Sequence, residues 1–288
     1  MSAMGVPPTI GSLQQRLVNV ADRRGIPVLR LRRSVAHTVV GQMLPAGVVK
    51  GGAAVRLRVD EEDARLTADF DVSPAAVLTS EKFVAEFEKN LATGWPRDEA
   101  TKFTGALVTK TPATPVGVPP DYVMKPYEVK LRYRSKSWCT VVFELGHDEA
   151  GSTDHPDLRM PGDLLEVFDE LGLPTPAPIP VMSVAHQAAQ KLHACTGGDT
   201  ADGTNARAHD LVDLQILDRV EGIDPADLAA VAPRLFAYRN RQIWPPTVVV
   251  HPGWDTLYDA AAEGLGVLGS VDEAVTWAND LIARTVEP

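Results

Sequence analysis

Cysteine is scarce in this chain: Cys139 and Cys195 are the two among 288 residues. Two thiols cannot build the cross-linked scaffold of a small secreted protein, so a reducing compartment is expected. Long apolar runs are also missing, and no stretch approaches the ~18 residues of a membrane span. Met1 to Ile10 carry no basic segment followed by an apolar one, the pattern of a secretory leader. Repeats and low-complexity tracts are absent, and no Gly-Lys-[Ser/Thr] closes a P-loop. His186, His193 and His209 have no partner at zinc-ligand spacing. These absences together lead us to expect a cytoplasmic protein without membrane contact or structural zinc.

What is present is ordinary globular material, 44% hydrophobic and 23% charged, which excludes wholesale disorder, a collagen repeat and a coiled-coil rod. The length is about two domains' worth on a ~150-residue prior, enough to bury more than one core. Charge is unevenly spread. The net charge is −10, yet Met1 to Arg56 hold eight Lys/Arg against Asp22 alone, a local +7 that leaves −17 for the rest. Lys125 to Trp138 hold five cations against Glu128, whereas Glu144 to Glu170 hold nine acids against Arg159. Such blocks are either solvated faces or surfaces for a charged partner.

The apolar spacing predicts a helix capped by Ser12 and closed by Gly25, then a second from Pro27 to about Met43. A short helix is expected over Ala53 to Arg58, a strand over Leu66 to Val72, and a helix over Ser80 to Leu91. Strands follow at Phe103 to Thr109, Tyr122 to Tyr133 and Ser137 to Leu145, with a proline-rich loop from Thr111 to Pro120. Leu164 to Leu171 reads as a helix and Pro174 to Pro180 as a linker. Beyond Ser183 the pattern is helical: Ala185 to Cys195, Arg207 to Val220, Pro225 to Arg239, Asp255 to Leu265 and Val271 to Thr285. Gly197 to Asn205 reads as an exposed loop. The expectation is a mixed α/β domain over 1–182 and a helical domain over 183–288.

Four groups of residues carry chemistry. Asp69 and Asp71 stand two apart on a strand, so both carboxylates share a face with Phe70 turned the other way. Their Cα atoms would lie ~7 Å apart at ~3.4 Å per residue, close enough to repel each other unless a cation intervenes. Paired hard oxygens suit Mg²⁺, and the alternative is a solvent-facing strand end. Lys50-Gly51-Gly52 ahead of a short helix allows close backbone approach to a phosphate, or is a plain turn. Glu144 lies opposite the apolar face made by Val141, Phe143 and Leu145, and is either solvent-facing or a third metal ligand. Lys191, Asp210 and Asp213 lie on two helices; Asp210 and Asp213 are three apart and repel on one face, so Lys191 and Arg207 are candidate counter-charges. A surface ion-pair network is the other reading of that group.

Taken in order, Lys50-Gly-Gly, Arg65-x-Thr67-x-Asp69-x-Asp71, Glu144, Lys191 and Arg207-x-x-Asp210-x-x-Asp213 resemble the AbiEii/AbiGii nucleotidyltransferase toxins, a branch similar to the DNA polymerase β-type nucleotidyltransferases. The motif-bearing region runs from Lys50 to Leu214. Ala189-Gln-Lys-Leu-His-Ala and Arg207-Ala-His-Asp-Leu-Val-Asp-Leu also resemble actinobacterial, including mycobacterial, members that act on tRNA. The resemblance implies an α/β fold, a nucleotidyltransferase-type mixed sheet followed by a helical domain completing the active-site cleft. It implies Asp69 and Asp71 as metal ligands with Glu144 a third candidate, and Lys191 and Asp213 as their catalytic partners. Lys50, Gly51, Gly52, Arg65 and Thr67 would face the nucleotide. The small hydroxyl residue often found after the two glycines is Ala53 here, which removes one phosphate contact.

The activity so implied is that of a toxin of a toxin–antitoxin system, which moves an NMP from an NTP to the 3′ end of tRNA with Mg²⁺ and so blocks translation. A cognate AbiEi-type antitoxin is the implied protein partner. Lys130, Arg132 and Arg134, interleaved with Tyr127, Tyr133 and Trp138, are candidates for tracking RNA phosphates and stacking bases. A phosphate on Thr67, read as sharing the face of Asp69, would add about −1.5 to −2 charge beside the carboxylates and makes Thr67 a candidate regulatory site. Two other functions stay open: an antibiotic-type enzyme using the Glu144–Glu170 acids for a cationic substrate, and a non-catalytic binding relative.

Overall fold

The structure, a computed structural model, describes residues 5–97, 102–111, 123–197 and 205–286. The chain separates into two compact units. The first comprises Met1–Asp60, Leu66–Asp148 and Pro156–Val181; the second comprises Glu61–Arg65, Glu149–His155 and Met182–Pro288. The short pieces Glu61–Arg65 and Glu149–His155, expected in the α/β domain, thus group with the helices. Ion pairs made by Arg65 and Glu149 hold them there.

The first unit is built on a mixed sheet of seven strands: β1 Gly47–Lys50, β2 Asp69–Pro74, β3 Phe103–Thr109, β4 Lys125–Tyr133, β5 Lys136–Leu145, β6 Asp157–Arg159 and β7 Ile179–Val181. Their order is β3-β4-β5-β2-β1-β7-β6, with β2 parallel to β5 and antiparallel to β1. Helices α1 Ile10–Arg24, α2 Val28–Gly41, α4 Ser80–Thr93 and α5 Gly162–Leu171 supply the rest of its core, and the short α3 Gly51–Arg56 follows β1 directly. Every second strand residue faces these helices. Phe70, Val72, Val129, Leu131, Val141 and Phe143 bury against Leu17, Val35, Phe87 and Phe168, and the Phe87 and Phe143 rings lie 5.0 Å apart. The intervening residues form the other sheet face, where Val142, Lys130 and Arg132 are exposed.

Several expectations change here. Thr9 rather than Ser12 caps α1, its hydroxyl accepting from the Ser12 backbone N–H at 3.1 Å. The strand expected from Leu66 begins at Asp69. The expected linker Pro174–Pro180 ends in β7, whose Val181 pairs with Val49; ahead of it the Gln42 amide both donates to and accepts from the Ala177 backbone, at 2.8 and 2.9 Å. Residues 112–120 of the proline-rich loop lie outside the described residues. Tyr127, Tyr133 and Trp138 are buried rather than presented for stacking, because they alternate with the exposed cations and so face the core; the Tyr133 hydroxyl donates to the Pro7 carbonyl at 2.6 Å.

The charge blocks also pair with one another in part inside this unit. Arg24 bonds Glu166 and Glu170, Arg23 bonds Glu170, Arg56 bonds Asp163 and Arg58 bonds Asp157. Arg23, Arg24 and Arg56 of the basic first segment, with Arg58 just beyond it, are therefore committed partners of the later acidic run rather than a surface for a polyanion.

The second unit packs α6 Val184–Cys195, α7 Ala208–Glu221, α8 Pro225–Arg239, α9 Trp254–Ala262 and α10 Val271–Arg284. Helix α7 lies at its centre, with every residue from Asp210 to Leu217 buried. Of the expected exposed loop, 198–204 lie outside the described residues, and its last residue is buried. Asn205 donates to the Ala194 and Gly197 carbonyls, and its own carbonyl accepts the Trp254 indole N–H at 2.7 Å.

His193, on α6, stacks edge-on against Phe236 of α8 with centroids 4.9 Å apart and meets the Arg239 guanidinium at 3.3 Å. Burial and then the Arg239 charge push its pKa down to about 3. The folded protein therefore keeps this ring neutral where the unfolded chain protonates it, so the stability it contributes is present above pH 6.5 and is lost as pH falls towards 3. Acidification from pH 6.5 to 5 is expected to cost about 2 kcal/mol through this one ring. Chemical unfolding at the two pH values checks this. His193→Gln should flatten the dependence, and an equally steep His193→Gln variant would assign the effect to other groups.

Candidate active site

In β2, Phe70 and Val72 are buried while Asp69 is exposed and Asp71 half-buried. The two acids thus share the sheet face turned away from the core, as the two-residue period requires. In the ladder, Asp71 stands directly opposite Lys50 of β1 on one side and Glu144 of β5 on the other. Adjacent strands lie ~4.8 Å apart, so a cation and two carboxylates form one row across three strands. Asp69 is one step up that face, level with Val142; Glu144 is therefore the neighbour of Asp71, not of Asp69.

The glycine after Lys50 is what lets this row close. Gly51 has φ +61°, and a Cβ there would collide with the Asp71 carboxylate. The backbone must be bare where Asp71 lies against it, and an L side chain at that φ would be strained in any case. Gly52 is the second residue of α3, and the buried Ala53 that follows offers no hydroxyl. Six residues make α3 too short for much dipole, so the positive charge for a phosphate on this face comes from Lys50. That side chain is only 7% exposed, with its Nζ beside Gly146, where a Cβ would come within 2.7 Å of it.

Among the described residues no three His, Cys, Asp or Glu side chains converge into a ready-made metal cage. Mg²⁺ rarely uses one: it takes one or two carboxylates, keeps waters and completes its shell with substrate phosphates. Two carboxylates on an open strand face, with a third level with Asp71, fit that ion.

The second unit carries its own cluster. Lys191 of α6 places its ammonium 2.8 Å from Asp210 and 2.6 Å from Asp213 of α7. Arg65 closes on the same Asp213 with both prongs, Nε to one oxygen at 2.8 Å and Nη2 to the other at 2.9 Å. Two cations thus face two carboxylates, which is how like charges three apart survive on a buried helix face. Burial alone would raise the Asp213 carboxyl, but Lys191 and Arg65 overcome it and hold its pKa at about 2. Burial likewise pulls Lys191 down, and Asp210 and Asp213 outweigh it, so its pKa is raised and it stays charged. Arg207, expected as a counter-charge, approaches Asp210 only to 3.9 Å. Sequence reasoning assigned Arg65 to the nucleotide and missed this pairing. The available signal was that two buried acids need two cations.

Thr67 precedes β2, so the strand-face argument does not extend to it; its carbonyl accepts from Arg33 at 3.2 Å. Lys130 and Arg132 project from β4 on the same face as the Lys50–Asp71–Glu144 row, since they alternate with buried Val129, Leu131 and Tyr133. Arg134 lies in the following turn with φ +46°. Lys130 also pairs with Glu128 at 2.5 Å, an exposed contact of little energetic weight.

Over residues 35–278 the sequence matches the family described as nucleotidyl transferase AbiEii toxin, Type IV TA system. Among solved structures, the chain is similar to MenT4, a nucleotidyltransferase toxin from Mycobacterium tuberculosis H37Rv, at 13% identity and TM-score 0.47, covering 97% of this chain and 99% of that one. It is also similar to JHP933 from Helicobacter pylori, at 14% identity and TM-score 0.42, covering 87% and 88% of the respective chains. No curated relative matches. Among the described residues no helix is long and apolar enough to cross a membrane. The family match spans most of the chain, including both clusters, and toxins of this family act with an antitoxin partner: the protein belongs to the AbiEii toxins of type IV toxin–antitoxin systems and is a nucleotidyltransferase.

Proposed function

We propose that this nucleotidyltransferase moves an NMP from an NTP to the 3′ end of tRNA in the cytoplasm, restrained there by an AbiEi-type antitoxin. The observation that carries the reading is the row of Lys50, Asp71 and Glu144 across three strands, with Asp69 on the same face. Asp69 and Asp71, with Glu144 beside Asp71, are the residues that would hold Mg²⁺, which when bound polarises the phosphate oxygens and offsets their charge. Lys50 supplies a fixed positive charge next to Asp71 for the triphosphate. The RNA 3′-hydroxyl attacks the α-phosphorus and pyrophosphate leaves; the hydroxyl proton passes to a carboxylate of the row, Asp71 or Glu144. Lys191 has two of its three N–H bonds committed to Asp210 and Asp213, which leaves one to donate to a phosphate oxygen.

An RNA acceptor fits the exposed Lys130 and Arg132, which extend the face of the row. A small cationic substrate fits less well. Five of the nine acids it would draw on are bonded to arginines, Glu149 to Arg239, Asp157 to Arg58, Asp163 to Arg56, and Glu166 and Glu170 to Arg24. The test is to incubate pure protein with Mg²⁺ and labelled NTPs, offering either total RNA or aminoglycosides. Label at tRNA 3′ ends supports the reading, and label on aminoglycosides alone overturns it.

Charge reversal on β4 gives a further expectation. Lys130→Glu, Arg132→Glu and Arg134→Glu together should weaken RNA binding and lower the salt slope by roughly 0.7 for each single-strand phosphate no longer neutralised. Titration of RNA binding at several salt concentrations measures both. An unchanged slope would move the acceptor track to Arg30–Arg33, since Arg23 and Arg24 are held by Glu170.

A further inference from the structure

Within the second unit, one residue has no place in the transfer chemistry as derived above, yet makes the most directed contact in its cluster. Arg65 donates through Nε and Nη2 to the two oxygens of Asp213, whose side chain is fully buried. A two-pronged guanidinium–carboxylate pair sets the plane and rotation of the carboxylate, which a point charge cannot do. Asp213 then presents Oδ2 to Lys191 at 2.6 Å, while Asp210 takes a second ammonium hydrogen at 2.8 Å. With two N–H directions fixed, the tetrahedral ammonium has its third fixed as well. The aim of Lys191 thus depends on the rotation of Asp213, and that rotation is set by Arg65.

We propose that Arg65 is a positioning residue of this enzyme: it locks Asp213, and through Asp213 it aims the Lys191 ammonium, without itself touching the nucleotide. This rests on the reading above that Lys191 serves the transfer step. It reassigns Arg65 from the nucleotide-facing group in which the motif order places it. It also gives a physical reason for Arg65 to belong to the helical unit although Asp69 follows it by only four residues along the chain.

The test compares Arg65→Gln, Arg65→Lys and Arg65→Ala with Lys191→Ala and Asp213→Asn in one nucleotide-transfer assay, with thermal unfolding of each variant alongside. Lost aim is expected to lower kcat about a hundredfold in Arg65→Gln, the scale of an ångström of misplacement. Arg65→Lys keeps the charge and loses the fork, so it should fold like the parent and remain well below it in kcat. Added guanidinium ion should restore part of the rate of Arg65→Ala, and none of it once Asp213→Asn is combined with Arg65→Ala.

Three results would overturn the proposal. One is a raised KM for NTP with kcat kept, which would make Arg65 a nucleotide contact. Another is guanidinium rescue that persists without the Asp213 carboxylate. The third is full activity in Arg65→Lys or Arg65→Gln while Lys191→Ala is inactive, which would leave Arg65 a structural pair only. Should Lys191→Ala itself transfer normally, the role given to Lys191 fails, and that outcome is distinct from the other three.

Discussion

Asp69→Ala is expected to abolish nucleotide transfer and leave the fold intact. Asp69 is exposed at the first position of β2, so its loss removes no packing, and surface changes of this kind stay within about ±0.5 kcal/mol of stability. In the proposed function its carboxylate serves as a hard oxygen ligand beside Asp71. Metal charge stabilisation is worth several kcal/mol in the transition state, and each ~1.4 kcal/mol is tenfold in rate. Steady-state transfer with matched unfolding curves measures both sides of the expectation. A variant retaining more than about a tenth of the parent rate would be incompatible with metal catalysis at this pair. Asp71→Asn should be equally inactive. In that position the amide also removes the charge facing Lys50 and Glu144, so a loss there without a loss at Asp69 would point to the row rather than to the metal.

Lys191→Ala and Asp213→Ala should each be severely impaired, and the double variant no worse than about the poorer single, because the two act as one unit. The structure adds a stability cost at both positions. Lys191→Ala leaves Asp213 with Arg65 but takes from Asp210 its closest cation, whereas Asp213→Ala removes the carboxylate that Arg65 and Lys191 share. Breaking one partner out of a buried ion pair typically costs about 3–5 kcal/mol, so transfer must be measured well below each variant's unfolding temperature. Single-turnover rates across the double-mutant cycle decide the matter. Additive and mild losses would indicate a structural ion network on α6 and α7 with no part in the chemistry.

Much of the candidate site was legible along the chain because it rests on local periodicity. A strand that alternates Asp69, Phe70, Asp71 and Val72 must put both acids on one face, and the same rule separated Glu144 from Phe143. The Lys-Gly-Gly turn was readable as a place of close approach, although not what approaches it. That Asp71 is the visitor and that Lys50 flanks it depend on the antiparallel pairing of β1 with β2, and that Glu144 flanks it depends on a parallel pairing between β2 and β5, which are more than sixty residues apart in the chain. Register between such distant strands is decided by which faces bury, not by any neighbour in the chain.

The misreadings have the same origin. Tyr127, Tyr133 and Trp138 sit among cations in the sequence, but a strand sends alternate side chains to opposite sides, and the core claimed the aromatics. Blocks of opposite charge looked like two separate surfaces until folding set Arg24 against Glu170 and Arg56 against Asp163. Thr67 looked like strand until the strand proved to start at Asp69. What the amino-acid order determined alone was the family and most of the helices and longer strands, because these follow from spacing and side-chain chemistry. Only the tertiary structure decided the partners. Arg65 meets Asp213 across 148 residues of chain because two carboxylates buried on one helix face need a second cation, and burial is a property of the whole fold.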